Sequence, residues 1–177
     1  MSEPARVDAV VIGAGPAGST TARHLAMLGY RVALIHRTRS KPGDLPRWET
    51  ISPVALELIR AYHPDAYPRL QTGLASVAVH RHWSRIDSAK RGAQSEQKIL
   101  LDRNLLDEEL RRSALAVGIA IADSPIGSMT ISRGRDAWEV VGMDNRSWRA
   151  PFLVDAAGRR SVQNTRRKPF GCPHGGY

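Results

Sequence analysis

Apolar residues run without a break through Ala9-Val10-Val11-Ile12, stop at Gly13, and resume at helical spacing through Ala22, Leu25, Ala26 and Leu28. A continuous run predicts a strand covered on both faces, and the spaced set predicts a helix with one inner face. Gly29 supplies a stop, after which Arg31 to Ile35 reads as a second buried strand. Thr38 to Thr50 is rich in Arg, Lys, Pro and Gly, which predicts a loop. Ser52 can cap the next helix and Pro53 suits its first position; Val54, Leu56, Leu58 and Ile59 supply its apolar face before His63-Pro64 ends it. Ser76 to Trp83 alternates like a strand at a sheet edge, and Arg85 to Gln97 is polar without period, so a loop is expected there.

The second half repeats the alternation of element types. Lys98 to Asp102 predicts a short strand that leads into a helix over Asn104 to Val117, with Leu105, Leu106, Leu110, Ala114 and Val117 inward and Gly118 as its stop. Ile119 to Ala122 reads as a third parallel strand. Three short segments follow, Ile126 to Ser132, Ala137 to Met143 and Ser147 to Arg149, divided by the turn signals Arg133-Gly134-Arg135-Asp136 and Asp144-Asn145, and they predict an antiparallel meander. Phe152 to Ala156 is a last apolar strand. The expected class is therefore α/β, a Rossmann-like parallel sheet with an inserted antiparallel β-meander. Right-handed crossovers place its strands in the order Ile119, Arg31, Val7, Phe152.

With 177 residues the chain suits one domain, expected over 1–161, followed by an irregular basic tail over 162–177. The hydrophobic content of 42% with 6% aromatic residues fits an α/β protein in water, and no apolar run reaches the roughly 20 residues that span a membrane. MSEPARVD lacks the layout of a signal peptide, so a cytoplasmic location is expected. The lone Cys172 has no intrachain partner for a disulfide and reads as incidental. A net charge of +9 invites a nucleic-acid reading, but its distribution argues against one. Arg159, Arg160, Arg166, Arg167 and Lys168 carry five of the nine charges in a final stretch without interleaved aromatics, which reads as a solvated end and not as a specific nucleic-acid arm.

The chemistry sits at the first turn. Gly13, Gly15 and Gly18 fall at the GxGxxG spacing between a buried strand and a helix, the context in which this motif holds a dinucleotide. Gly13 permits the tight turn, Gly15 clears a side chain from the approach of a pyrophosphate, and Gly18 brings helix and sheet together. With Pro16 and Ala17 they open a helix whose first N–H groups face the phosphates.

The glycine turn, RWETISP (Arg47 to Pro53), LLDRNLLDEELRRSALAVGI (Leu100 to Ile119) and FLVDAAGRRS (Phe152 to Ser161) occur in the order seen in one superfamily. The chain resembles the amino-terminal part of FAD-dependent monooxygenases, flavin-dependent halogenases and geranylgeranyl-reductase-like oxidoreductases. The resemblance implies FAD as cofactor and a small-molecule or peptide-borne aromatic substrate. It implies that Arg103, opening the middle helix, lies near the FAD phosphates and ribose, where a planar guanidinium fork suits a pyrophosphate. By the same match Trp48 and Glu49 lie near the flavin ring, with Trp48 either facing it or anchoring a loop, and Asp155 and Gly158 belong to the second flavin motif. The chemistry is the flavin's, so no catalytic acid or base is assigned; Glu49 is a candidate for a role near the ring, against a structural role in its loop.

Two departures from the family pattern carry weight. His36 and Arg37 stand where a Glu usually binds the ribose hydroxyls, and a basic pair also suits a 2′-phosphate, which keeps NADPH as an alternative ligand or a reductant. Relatives are also about twice as long or more, so the resemblance implies a chain truncated before the substrate domain, whether by nature, by engineering or by frame shift. Such a chain is expected not to turn over alone and to self-associate through exposed apolar surface. An NADP-binding module and an inert remnant that meets acidic partners through Arg159 to Lys168 remain as other readings. His80 and His82 share a strand face but lack further metal ligands in sequence, and Ser19, Ser52 and Ser161 lack a nucleophile elbow. Glu108, Glu109, Arg111 and Arg112 read as a solvated helix face.

Overall fold

The computed structural model describes residues 3–36, 45–80, 95–123, 129–142 and 146–158. At its centre lies a parallel sheet of β2 (Ala9–Ile12), β3 (Val32–His36), β7 (Ala120–Asp123) and β11 (Phe152–Asp155), in the order β11-β2-β3-β7. This is the expected order. β-branched and aliphatic residues fill β2 and β3 because both faces are covered. Val10, Ile12, Ala33, Ile35 and Ala122 point toward one layer, and Val11, Val32 and Leu34 toward the other.

The first layer is the meander, β8 (Thr130–Arg133), β9 (Trp138–Val141) and β10 (Ser147–Ala150), which packs Val140, Trp148 and Ala150 against the parallel sheet. Its far edge is closed by β1 (Ala5–Arg6), which pairs in parallel with β10 and which the short polar sequence there does not announce. The second layer is α1 (Pro16–Met27) and α4 (Arg103–Leu115), joined to the sheet through Ala22 and Ala114. Gly29 and Gly118 end the two helices at φ +91° and +82°, left-handed values that glycine adopts without strain.

Several expectations change. Trp48 to Thr50, predicted as loop, fall in β4 (Trp48–Ile51), and the polar stretch before Lys98 contributes Ser95 onward to β6 (Ser95–Asp102). With β5 (Ala75–His80) at the edge they make a small antiparallel sheet, β4-β6-β5; pairing with a neighbour turns a segment without strong strand pattern into a strand. Leu101 of this sheet packs with Leu106 and Leu110 of α4 and with Leu70 of a short helix, α3 (Tyr67–Gln71), for which the sequence shows little signal. α2 (Pro53–Tyr62) begins as expected, with the Ser52 hydroxyl accepting from the Ala55 N–H at 3.2 Å. Its apolar face is only partly covered: Leu56 is buried, Val54 and Leu58 are exposed, and so is Leu28 after α1. Glu109, expected on a solvated face, is buried beside Arg69 and Arg112. His80 ends β5, while His82 and the basic tail lie outside the described residues.

A polar network ties α1, α4 and the α2–α3 connection together behind the sheet. Arg23, buried on α1, donates through Nε to the Tyr62 carbonyl at 2.8 Å and through Nη1 to the Ser113 carbonyl at 2.7 Å, with Nη2 3.4 Å from Asp65. The Ser113 hydroxyl donates to Asp65 at 2.7 Å, so it accepts from His63 Nδ1–H at 3.0 Å; His63 Nε2 then accepts from the Thr20 hydroxyl at 2.8 Å. Burial, with Arg23 nearby, pushes the His63 imidazole down to about 4, so it is neutral at neutral pH.

Candidate functional site

The three glycines of the first turn do different work. Gly13 leaves β2 at φ +100°, donates to the Ile35 carbonyl at 2.7 Å, and lies so close to the β11 end that a Cβ would sit 2.6 Å from the Ala156 carbonyl oxygen. At Gly18 a Cβ would lie 1.7 Å from the Gly13 carbonyl oxygen. Both are therefore needed for the fold itself. Gly15 is different, because its Cβ would meet one atom only, Arg103 Nη2 at 3.6 Å. Its hydrogen faces open space flanked by an arginine.

Gly15 is also the N-cap of α1, extended at φ −74° and ψ −175°, with no side chain closing the helix end. Pro16 fills the first helical position, where its missing N–H is no loss, and Ala17 is exposed. Among the described residues no side chain caps the first N–H groups of α1, which lie beside Gly15. Ser19 donates to the Ala14 carbonyl at 3.1 Å and braces the turn from below.

Arg103 reaches this point from a different part of the chain. It is the first residue of α4, whose N-cap Asp102 accepts from the Asn104 and Arg47 N–H groups at 2.9 and 3.0 Å. The Arg103 N–H donates to the Arg47 carbonyl at 2.8 Å, which stitches the start of the helix to the run into β4. Glu49, one residue into β4, accepts from Arg103 Nη1 at 2.9 Å, and Arg47 stands 3.8 Å from its other oxygen. Asp107, one turn along α4, accepts from Arg103 Nε at 2.7 Å. Among the described residues Nη2 has no such acceptor, and it is the nitrogen that faces Gly15. Burial raises the Asp107 carboxyl, an effect that Arg103 opposes; burial also disfavours the Arg103 charge, but the hydrogen bonds and charges of Asp107 and Glu49 together outweigh it and hold the guanidinium above its ordinary value.

The remaining predicted positions are distributed around this centre. Asp155 closes β11 beside Ile12 and accepts from the Ala157 N–H at 3.1 Å, while the Ala156 N–H donates to the Ile12 carbonyl at 2.8 Å; the second motif thus braces the first. Gly158 follows at φ +65° and is exposed. His36 is buried at the end of β3, and Arg37 lies outside the described residues. Trp48 is 58% exposed on β4, opposite Asp102 in register, so it anchors no core. The structure brings Gly15, Glu49 and Arg103 together and adds Asp107, which sequence reasoning passed over although its i, i+4 spacing from Arg103 was visible.

Residues 6–167 match the FAD binding domain family. The chain belongs to that family. A thiamine thiazole synthase from Aeropyrum pernix is 27% identical over 164 residues, covering 89% of this chain and 56% of that protein. Among solved structures, the peptidyl tryptophan dihydroxylase QhpG, described as essential for tryptophylquinone cofactor biogenesis, shares 27% identity with a TM-score of 0.67, over 89% of this chain and 33% of that one. The halogenase PltM in complex with phloroglucinol and FAD has a TM-score of 0.65 at 19% identity, over 90% and 36%. Aklavinone-11 hydroxylase with FAD and aklavinone has 0.63 at 22%, over 94% and 35%. This chain spans about a third of the length of these structures.

The cofactor is FAD, and the turn fits it: an uncrowded Gly15, an open helix end and an arginine nitrogen on one side form a cradle that a Cβ would fill. No helix among the described residues is long and apolar enough to cross a membrane.

Proposed function

We propose that this chain is the nucleotide-binding part of an FAD-dependent oxidoreductase of the monooxygenase or halogenase kind. The observation that carries the reading is the approach of Arg103 Nη2 to within 3.6 Å of the position a Gly15 side chain would take, at the open N-terminus of α1. N–H groups and a guanidinium converging on a space without a side chain match a pyrophosphate, which needs several donors and a positive field.

FAD would supply the redox chemistry with O₂ and a reductant, and the residues of this chain bind and orient it. Gly15 and the α1 terminus take the pyrophosphate, and Arg103 takes one of its oxygens. His36 offers a single hydrogen bond toward the ribose, and Glu49 holds Arg103. Trp48 lies on the exposed side of β4. The substrate in this reading is a small-molecule or peptide-borne aromatic compound, in line with the compounds named for PltM, QhpG and aklavinone-11 hydroxylase. Turnover requires sequence beyond the portion shared with them, and the cytoplasmic location expected from the sequence is kept.

The test is titration of the purified chain with FAD and, separately, NADPH, followed by flavin fluorescence and thermal shift. Saturable FAD binding that disappears in Gly15→Val is the expected result. Binding of NADPH alone would replace the reading with an NADP-binding module, and binding of neither would leave a remnant without a nucleotide site.

A further inference from the structure

We infer that Asp107 is a positioning residue for the nucleotide site: by accepting from Arg103 Nε it fixes the guanidinium plane so that Nη2 points at the Gly15 turn. The inference rests on the proposed FAD reading and adds a residue and a mechanism to it.

An arginine at the first position of a helix is poorly placed by itself. The helix N-terminus is the positive end of the dipole, and a long side chain there has several rotamers that lead into water. Arg103 is held against both tendencies. Nε carries a single N–H, so its 2.7 Å bond to Asp107 sets the orientation of the whole planar group, and Glu49 takes Nη1 at 2.9 Å on another side. With these two nitrogens engaged, Nη2 remains beside Gly15. Asp107 comes from the same helix as Arg103 and Glu49 from β4, so the clamp closes only when β4 is paired with β6.

Charge and geometry predict opposite signs here, which makes the inference sharp. Two carboxylates close to a diphosphate repel it, so on charge alone removal of Asp107 strengthens nucleotide binding. If Asp107 acts by aiming Arg103, its removal weakens binding although a negative charge has gone. An arginine free to turn into water loses the preorganisation that makes its hydrogen bonds to phosphate strong.

The experiment is a double-mutant cycle on the full chain, with Asp107→Leu, Arg103→Gln and the pair, titrated with FAD and with ADP. Asp107→Leu keeps roughly the shape of the side chain and removes both its charge and its acceptor oxygens, whereas an asparagine would still accept from Nε. The expected result is about tenfold weaker binding of both nucleotides in Asp107→Leu and no additional loss when Arg103→Gln is already present. Unchanged or tighter binding in Asp107→Leu overturns the inference. An equal loss in the Arg103→Gln background also overturns it, because Asp107 would then act on the fold and not on Arg103.

A second readout keeps this test separate from the test of FAD binding itself. In the nucleotide-free protein labelled with ¹⁵N-arginine, Arg103 Nε–H, assigned by its loss in Arg103→Gln, is expected as a slowly exchanging signal that vanishes in Asp107→Leu. If the chain binds no FAD or ADP but this dependence is present, the functional reading fails and the clamp stands. A rapidly exchanging Arg103 Nε–H in the unmodified chain overturns the clamp.

Discussion

Arg23 and Arg103 stand on the two helices that cover one face of the parallel sheet, each with a carboxylate close by, yet they serve different ends. Arg23 is sealed: its three nitrogens meet the Tyr62 and Ser113 carbonyls and Asp65, and the side chain is 10% exposed. Arg103 is held on two nitrogens and left with the third beside Gly15. A fully satisfied guanidinium joins segments of the fold, whereas one with a nitrogen to spare at an open helix end can receive a ligand. The glycine turn shows the same contrast within a few residues, since Gly13 and Gly18 are filled in by backbone and Gly15 is not.

The strongest way to break this comparison is to add a methyl group at each kind of glycine. Gly18→Ala forces its Cβ onto the Gly13 carbonyl and is expected to cost about 4 kcal/mol or more, enough to leave little folded protein in a urea titration. Gly15→Ala is expected to unfold within about 1 kcal/mol of the unmodified chain while binding FAD more weakly. Equal destabilisation by the two would remove the distinction between structural and ligand-facing glycine.

Exchanging the arginines comes next. Arg23→Met leaves the buried Ser113 carbonyl and the partly buried Tyr62 carbonyl without their donor and should destabilise by about 3 kcal/mol, at the lower end for a broken buried pair because Asp65 is partly solvated. Arg103→Gln removes half-exposed pairs worth about 1 kcal/mol or less, so its melting temperature should move little while FAD affinity falls. A stability loss at Arg103 as large as that at Arg23 would mean that the open site is also structural.

The sealed network has a pH signature of its own. His63 is held at about 4 in the folded state against an ordinary value of 6.5, so the unfolded chain binds the extra proton first. Stability is therefore fully present above 6.5 and falls as the pH drops toward 4, by about 3 kcal/mol from this group. Denaturant titrations across that range should show the loss, and His63→Gln should flatten it. The smallest expected effect is at Leu58, exposed on α2, where Leu58→Gln should stay within about 0.5 kcal/mol in the same assay.

Much of this architecture was legible in advance, and the particular elements show why. β2, the glycine turn, α1 and β3 form from contiguous residues whose period and turn chemistry point the same way, and strand order followed from crossover handedness. Trp48 to Thr50 end a stretch whose Arg, Lys, Pro and Gly content predicts a loop, yet they become strand in β4 by pairing with β6, whose residues lie about fifty positions later. α3 and β1 are too short to show a period. Arg23 carried no sign that its charge would be buried, because its partners are the carbonyls of Tyr62 and Ser113 on other helices. Leu28, Val54 and Leu58 fit a helical stripe, but which part of a stripe is covered depends on what packs against it.

The amino-acid sequence alone established the strand–turn–helix that receives a dinucleotide, because steric demand at glycine and the periods of strand and helix act over a few neighbouring residues. The tertiary structure decided which charged groups surround that turn. Glu49 and Arg103 are 54 positions apart, and they meet only because β4 pairs with β6 and α4 begins where β6 ends. Local periodicity carries no information about such a meeting, since it depends on which segments pack together once the core has formed.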